Sequence, residues 1–345
     1  MLISTKKQGN VRGIALTVAG ICAIAVLAGC TPQEATGPAA EEVDPAIAEA
    51  LQQEGKVQFA TVGDLEQDIQ ANLMTEVVNA LGGDAEILQG ATTETMAAAA
   101  KGEPVVSMVF WRWQLPEIWD KYVEEDGGIV EVGTTDYPGE EGWYVPTYVI
   151  EGDEERGIEA SCPGLPSWEA LNDCADVFAT AKTGDKGQYM SGAESWAFAY
   201  GDPQRIENLG LDYEMVFAGS EAALYAALTS AYEKGDPWLG LMWRPNYMTQ
   251  KYDLTRVEFP EYTEDCWGDT YACQWPETTI YQVASKVIQE DHPAVWDIIS
   301  NYDLNNDQLQ AIQSTVIDDG LTPKEAVEAW MDENRDVWVG WAKQS

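Results

Sequence analysis

Positive charge is scarce in this chain. Its 345 residues hold 19 Lys and Arg against 59 Asp and Glu, a formal net charge of −40, and His292 is the lone histidine. A nucleic-acid binder is excluded, because neutralising phosphates requires a basic face that so few cations cannot assemble. Catalytic signatures are missing too. There is no Gly-x-Ser-x-Gly elbow, no His-Glu-x-x-His pair and no Walker loop, and His292 precedes Pro293 in an acidic stretch. The segment 303–307 starts like a calcium loop but lacks the glycine at position six and the glutamate at position twelve. No carboxylate pair stands out among so many, so neither enzymatic activity nor a cofactor is expected. Long apolar runs are absent after residue 29, which leaves no stretch of the roughly 20 apolar residues that a membrane-spanning helix needs.

What the chain does have begins at its N-terminus. Lys6, Lys7 and Arg12 precede an apolar run over 13–29, the pattern of a secretory signal. The order Leu27-Ala28-Gly29-Cys30 resembles a bacterial lipobox, which implies a lipoprotein signal peptide over 1–29, lipidation of Cys30 and anchoring at the outer face of the cell membrane or its periplasmic side. Residues 30–56, rich in Pro, Ala and Glu, read as a flexible tether. Four further cysteines, Cys162, Cys174, Cys266 and Cys273, are an even number in an exported chain and predict disulfides. Three pairings are open, of which the local one, Cys162 with Cys174 and Cys266 with Cys273, closes the shortest loops. Zinc is the competing reading, but no Cys-x2-Cys spacing is present and His292 is far away in sequence, so no metal is expected.

Hydrophobic residues make up 45% of the chain, enough for a core, and 14 Trp, 15 Tyr and 6 Phe argue against an acidic disordered chain. From residue 57 short β-rich runs alternate with helical patterns, which predicts an α/β fold with mostly parallel strands. Strands are predicted over 57–62, 85–89, 104–111, 188–191, 213–218 and 237–243. Helices are predicted over 65–81, 93–101, 115–125, 166–179, 194–199 and 220–234. One pattern stands above this background. Lys101-Gly102-Glu103-Pro104 leads through a strand to Trp111-Arg112, and Lys234-Gly235-Asp236-Pro237 leads through another to Trp243-Arg244. Each Trp-Arg is followed by a Pro (Pro116, Pro245) and a helical stretch with Lys-Tyr (Lys121-Tyr122, Lys251-Tyr252).

The repeat places an indole at the C-terminal end of a strand in each half of the fold, where open α/β sheets bind their ligands. Trp111 and Trp243, with Trp113 beside the first and Trp196 after the strand 188–191, are the candidate binding residues. Indole faces arranged as a box attract a quaternary ammonium through their negative quadrupoles, and such a cation has no N–H that needs an acceptor. Arg112 and Arg244 offer forks for a ligand carboxylate, although neighbours on an extended segment point to opposite sides. The amides of Ala197 and Phe198, at the start of a helix after Trp196, are a second candidate anion site, with Glu194 nearby. Trp119, Trp296, Trp330, Trp338 and Trp341 fall on predicted helices and read as packing residues.

From residue 57 nearly to its end the chain resembles the substrate-binding proteins of ABC importers for glycine betaine, proline betaine and related quaternary ammonium osmolytes. The resemblance rests on the strand ending at Trp111, on Ser191-Gly192-Ala193-Glu194-Ser195-Trp196, and on Leu241-Met242-Trp243-Arg244-Pro245. It implies a type II periplasmic-binding-protein fold, with two lobes joined by a two-strand hinge: 57–150 plus 280–345, and 151–279. It also implies a cage of Trp111, Trp196 and Trp243, delivery of the solute to membrane permease subunits, and a monomeric receptor. The segments 144–150 and 279–284 suit the hinge. The chain departs from the family where Pro-Gly-Trp-Gly is usual and Ala193-Glu194-Ser195-Trp196 stands instead, and no histidine is available for a carboxylate. Two other readings are a receptor of the same fold for an amino acid or other non-quaternary solute, and a carbohydrate-binding surface protein with Trp platforms; the βα alternation argues against the latter.

Overall fold

A computed structural model describes residues 45–196 and 200–343. Nine strands form one continuous, mixed sheet in the order β2-β1-β3-β9-β4-β7-β5-β6, with β8 paired to β4. They are β1 Lys56–Thr61, β2 Asp84–Gln89, β3 Val105–Trp111, β4 Ile129–Pro146, β5 Gly187–Ser191, β6 Tyr213–Phe217, β7 Gly240–Arg244, β8 Leu254–Arg256 and β9 Thr278–Ser285. The strands β2-β1-β3 are parallel, and so are β6-β5-β7. Between these two triplets β4 and β9 run antiparallel to their neighbours, so the expectation of mostly parallel strands holds only for the outer parts of the sheet.

The two triplets repeat one plan. In each, the first strand lies in the middle, flanked by the second and third, with a helix in each connection. The helix α2 (Leu65–Ala80) follows β1 and α3 (Thr92–Ala100) follows β2; Asp202–Asn208 and Glu221–Lys234 take the same places in the other half. The sequence repeat is this structural repeat, since β3 and β7 are the equivalent strands that end in Trp111 and carry Trp243. Its glycines have a physical reason. Gly102 and Gly235 follow the helices that precede β3 and β7 with φ of 93° and 74°, left-handed conformations that end a helix at little cost only for glycine.

β4 joins the halves. Its residues up to Gly139 pair with β9, Gly139 opposite Thr278, and the next residue, Glu140, pairs with Arg244 of β7. The chain returns at the start of β9. The crossing therefore lies at 139–140 and just before Thr278, upstream of the segments 144–150 and 279–284 expected for it. Tyr144 to Pro146 are still strand, paired to β8, and Tyr148–Glu151 is a short helix.

Two other segments differ from expectation. Within the expected tether, α1 (Pro45–Glu54) is a helix with Leu51 fully buried, and the Glu54 carboxylate accepts from the amides of Ala294 and Val295 at 2.7 and 3.2 Å. That capping ties α1 to the helix Pro293–Ser300. The region 166–179, read as a helix, forms only the 3₁₀ turns Trp168–Ala170 and Asn172–Cys174. A disulfide between Cys162 and Cys174 clamps it, and Cys266 bonds Cys273 in the second loop, so the local pairing is the one present. Trp330, Trp338 and Trp341 pack in the core beside α2, together with C-terminal helices. Among the described residues no helix is long and apolar enough to cross a membrane. The signal peptide and Cys30 lie outside the described residues.

Candidate functional site

A cavity of about 530 Å3 opens at the C-terminal ends of both parallel triplets, within the size range of small-molecule sites. One wall comes from the ends of β1, β2 and β3: Asp64 and Glu66, the turn Gly90 to Thr93, and Trp111 with Gln114. The other comes from Trp196 and Tyr200 after β5, Trp243 of β7, and Glu141 of β4.

Backbone features set the indoles. The Trp111 ring lies on Gly139 of β4, where any Cβ would overlap it. Trp196 ends the 3₁₀ turn Glu194–Trp196 and lies on Gly192 in the same way. Trp196 and Trp243 meet edge to face, with centroids 5.8 Å apart and planes at 80°, and Tyr225 lies beside Trp243 at 6.0 Å. Half-buried rings in this arrangement present π surface to the cavity, which suits a cation without donors.

The polar lining is acidic. Glu141, two residues beyond Gly139 and so on the same face of β4, is buried; its Oε1 accepts from the Tyr200 hydroxyl at 2.6 Å and from Gln114 Nε2 at 3.2 Å. Burial raises its pKa to about 8, against the lowering by those two hydrogen bonds, so the carboxyl is largely protonated at neutrality. Burial likewise raises Glu66 to about 7, although Tyr137 and Gln70 donate to it. Asp64 caps α2 by accepting from the Gln67 amide at 2.9 Å, and desolvation with the neighbouring Glu221 charge pushes its carboxyl well up. No Lys, Arg or His is among the described lining residues. Among the described residues no group of His, Cys, Asp and Glu is arranged to hold a metal.

The expected binding residues divide. Trp111, Trp196 and Trp243 are brought together around the cavity. Trp113 packs instead on Tyr200 and Trp267, at 6.0 and 5.3 Å, behind the wall. Arg112 pairs with Glu124 at 3.1 Å and stacks over Trp119. Arg244 is exposed, reaches the Leu254 carbonyl at 3.4 Å and lies over Tyr144. Neither guanidinium lines the cavity, because each follows its Trp and points away from the face the indole occupies. Ala197 and Phe198 lie outside the described residues. Glu141, Tyr200 and Gln114 were not singled out from sequence; the period-two spacing of Gly139 and Glu141 is the one signal, and it marks Glu141 alone.

Residues 55–333 match the family of substrate-binding domains of ABC-type glycine betaine transport systems. The chain belongs to this family. Members are solute-binding proteins. It is 27% identical over 286 residues to the trimethylamine N-oxide-binding protein of Pelagibacter ubique (strain HTCC1062), a match that covers 80% of this chain and 87% of that protein. The structure of lactococcal OpuAC, closed and complexed with glycine betaine, superposes with a TM-score of 0.61 at 18% identity, covering 84% of this chain and 100% of that one. An ABC-transporter choline-binding protein in complex with choline gives 0.61 at 18% identity, covering 83% and 92%. These likenesses establish the two-lobed type II periplasmic-binding-protein fold.

Proposed function

We propose that the protein is an extracytoplasmic receptor that captures a methylated onium osmolyte, trimethylamine N-oxide foremost, between the indoles of Trp111, Trp196 and Trp243. The observation that carries this reading is an aromatic cavity whose polar lining, among the described residues, is entirely acidic or neutral. Indole faces accept the methylated cationic end without hydrogen bonds. The other end of the ligand decides the class. A betaine carboxylate would bring a full negative charge against Asp64, Glu66 and Glu141, which burial already disfavours as anions, and no Lys, Arg or His among the described lining residues would neutralise it. An N-oxide oxygen is a strong acceptor, and the protonated Glu141 supplies the donor. The relative that binds trimethylamine N-oxide, matched over most of its length, supports the same choice.

Calorimetric titration with trimethylamine N-oxide, choline, glycine betaine and L-arginine tests it. The N-oxide is expected to bind most tightly and glycine betaine at least tenfold more weakly. No heat with any onium compound refutes the cage, and tightest binding of glycine betaine refutes the role given to the acidic lining. The receptor delivers its solute as a monomer to permease subunits in the membrane, held at the outer face by lipid on Cys30. C30A is expected to move the protein from the membrane to the soluble fraction.

A further inference from the structure

The helix Glu221–Lys234 belongs to the half of the sheet that carries Trp243, yet its first residue is bonded to the opposite wall. Glu221 Oε2 accepts from the backbone amide of Leu65 at 2.8 Å, in the first turn of α2. Its Oε1 accepts from the Tyr225 hydroxyl, which in turn accepts from Asn246 Nδ2, and the Tyr225 ring lies 6.0 Å from the Trp243 indole. One carboxyl thus satisfies an orphan helix amide on one wall and, through a single tyrosine, fixes a cage ring on the other.

We propose that Glu221 is a positioning residue, a latch that ties the start of α2 to the Trp243 wall and so holds the two sides of the cavity together. The inference rests on the reading of that cavity as the ligand site. Among the described residues every titratable group around the latch is acidic or phenolic: Asp64, which caps α2, and Glu66 and Asp68 of α2 approach it from one side, and Tyr225 from its own helix. Among the described residues Glu221 forms no ion pair. Desolvation raises both Glu221 and Asp64, so the latched arrangement retains a proton that a hydrated, separated pair gives up. The latch is therefore strongest on the acidic side and weakens as pH rises beyond the ordinary carboxylate range.

Affinity for trimethylamine N-oxide measured from pH 5.5 to 9 in the wild type, E221Q and E221A tests this. Wild-type affinity is expected to fall with rising pH, about tenfold for each proton lost per pH unit at the steepest part. E221Q keeps an acceptor for Leu65 without the charge and is expected to bind with a flatter profile. E221A is expected to bind about tenfold more weakly throughout, the worth of one or two hydrogen bonds. Exchange of the Leu65 amide, read without any solute, separates this inference from the ligand assignment: protection is expected in the wild type and loss of it in E221A. Equal exchange in both, or an E221Q pH profile matching the wild type, overturns the latch even if the N-oxide binds. Protection lost in E221A while no onium compound binds the wild type overturns the ligand assignment alone.

Discussion

Trp243 meets the site on several sides. It meets Trp196 edge to face, leans on Tyr225, and in the β4–β7 register stands opposite Glu141. A desolvated cation–π contact is worth about 2 kcal/mol, so W243A is expected to weaken onium binding about thirtyfold, and W243F by much less, in calorimetric titrations. Glu141 permits a sharper test. Its carboxyl is raised to about 8, so at pH 7 it carries a proton. A permanent cation such as choline favours the ionised form and is expected to expel that proton; an N-oxide, accepting from it, is not. The difference is read by comparing wild type with E141Q: the dependence of binding heat on buffer ionisation enthalpy is expected to change for choline, which loses the proton released from Glu141, and to stay the same for trimethylamine N-oxide. The two kinds of residue were unequally legible. Trp111 and Trp243 announce themselves through a repeated context, whereas Glu141 is one of 59 acidic residues and gains its role only from the strand that buries it.

That strand is also the element that sequence patterning misses. β4 spans 18 residues, yet Asp136-Tyr137-Pro138-Gly139 reads as a turn, and alternation fails where the register shifts between Glu131 and Gly133 and between Thr134 and Pro138. The helices 65–81 and 220–234 were legible because caps and apolar spacing agree with their final packing, with Asp64 and Ser220 each accepting from an amide of the first turn. The stretch 166–179 failed for the opposite reason: a disulfide and the prolines Pro163 and Pro166 override its helical composition. The crossing residue of β4 ties element to site. Since a Cβ at Gly139 would overlap both the Trp111 ring and the Thr278 methyl, G139A is expected to displace the indole and lower onium affinity at least tenfold. Shifted Trp fluorescence with nearly unchanged far-ultraviolet circular dichroism would accompany it; unchanged affinity would show that Trp111 is not held by this contact.

At the scale of the whole molecule the surplus of carboxylates acts in two ways that respond differently to salt. Most are on the surface, where a net charge of −40 produces self-repulsion that ions screen over about 10 Å at 0.1 M. Glu66 and Glu141 are buried and cannot be screened in that way. In the folded protein they hold protons up to about 7 and about 8, while in the unfolded chain they release them near the ordinary value of 4.5. The folded state therefore binds more protons between those limits, so stability falls as pH rises from about 4.5 to 8 and then levels off. Thermal unfolding at low salt is expected to show both effects: a lower midpoint than at high salt, and a decline with pH. At high salt the surface part is suppressed and the decline across that window remains. The double variant E66Q and E141Q is expected to lessen the residual decline, the remainder belonging to buried carboxyls such as Asp64 and Glu221, while leaving the rise with salt intact. A decline that vanishes with salt alone would assign the pH dependence to the surface and remove the two buried carboxyls from it.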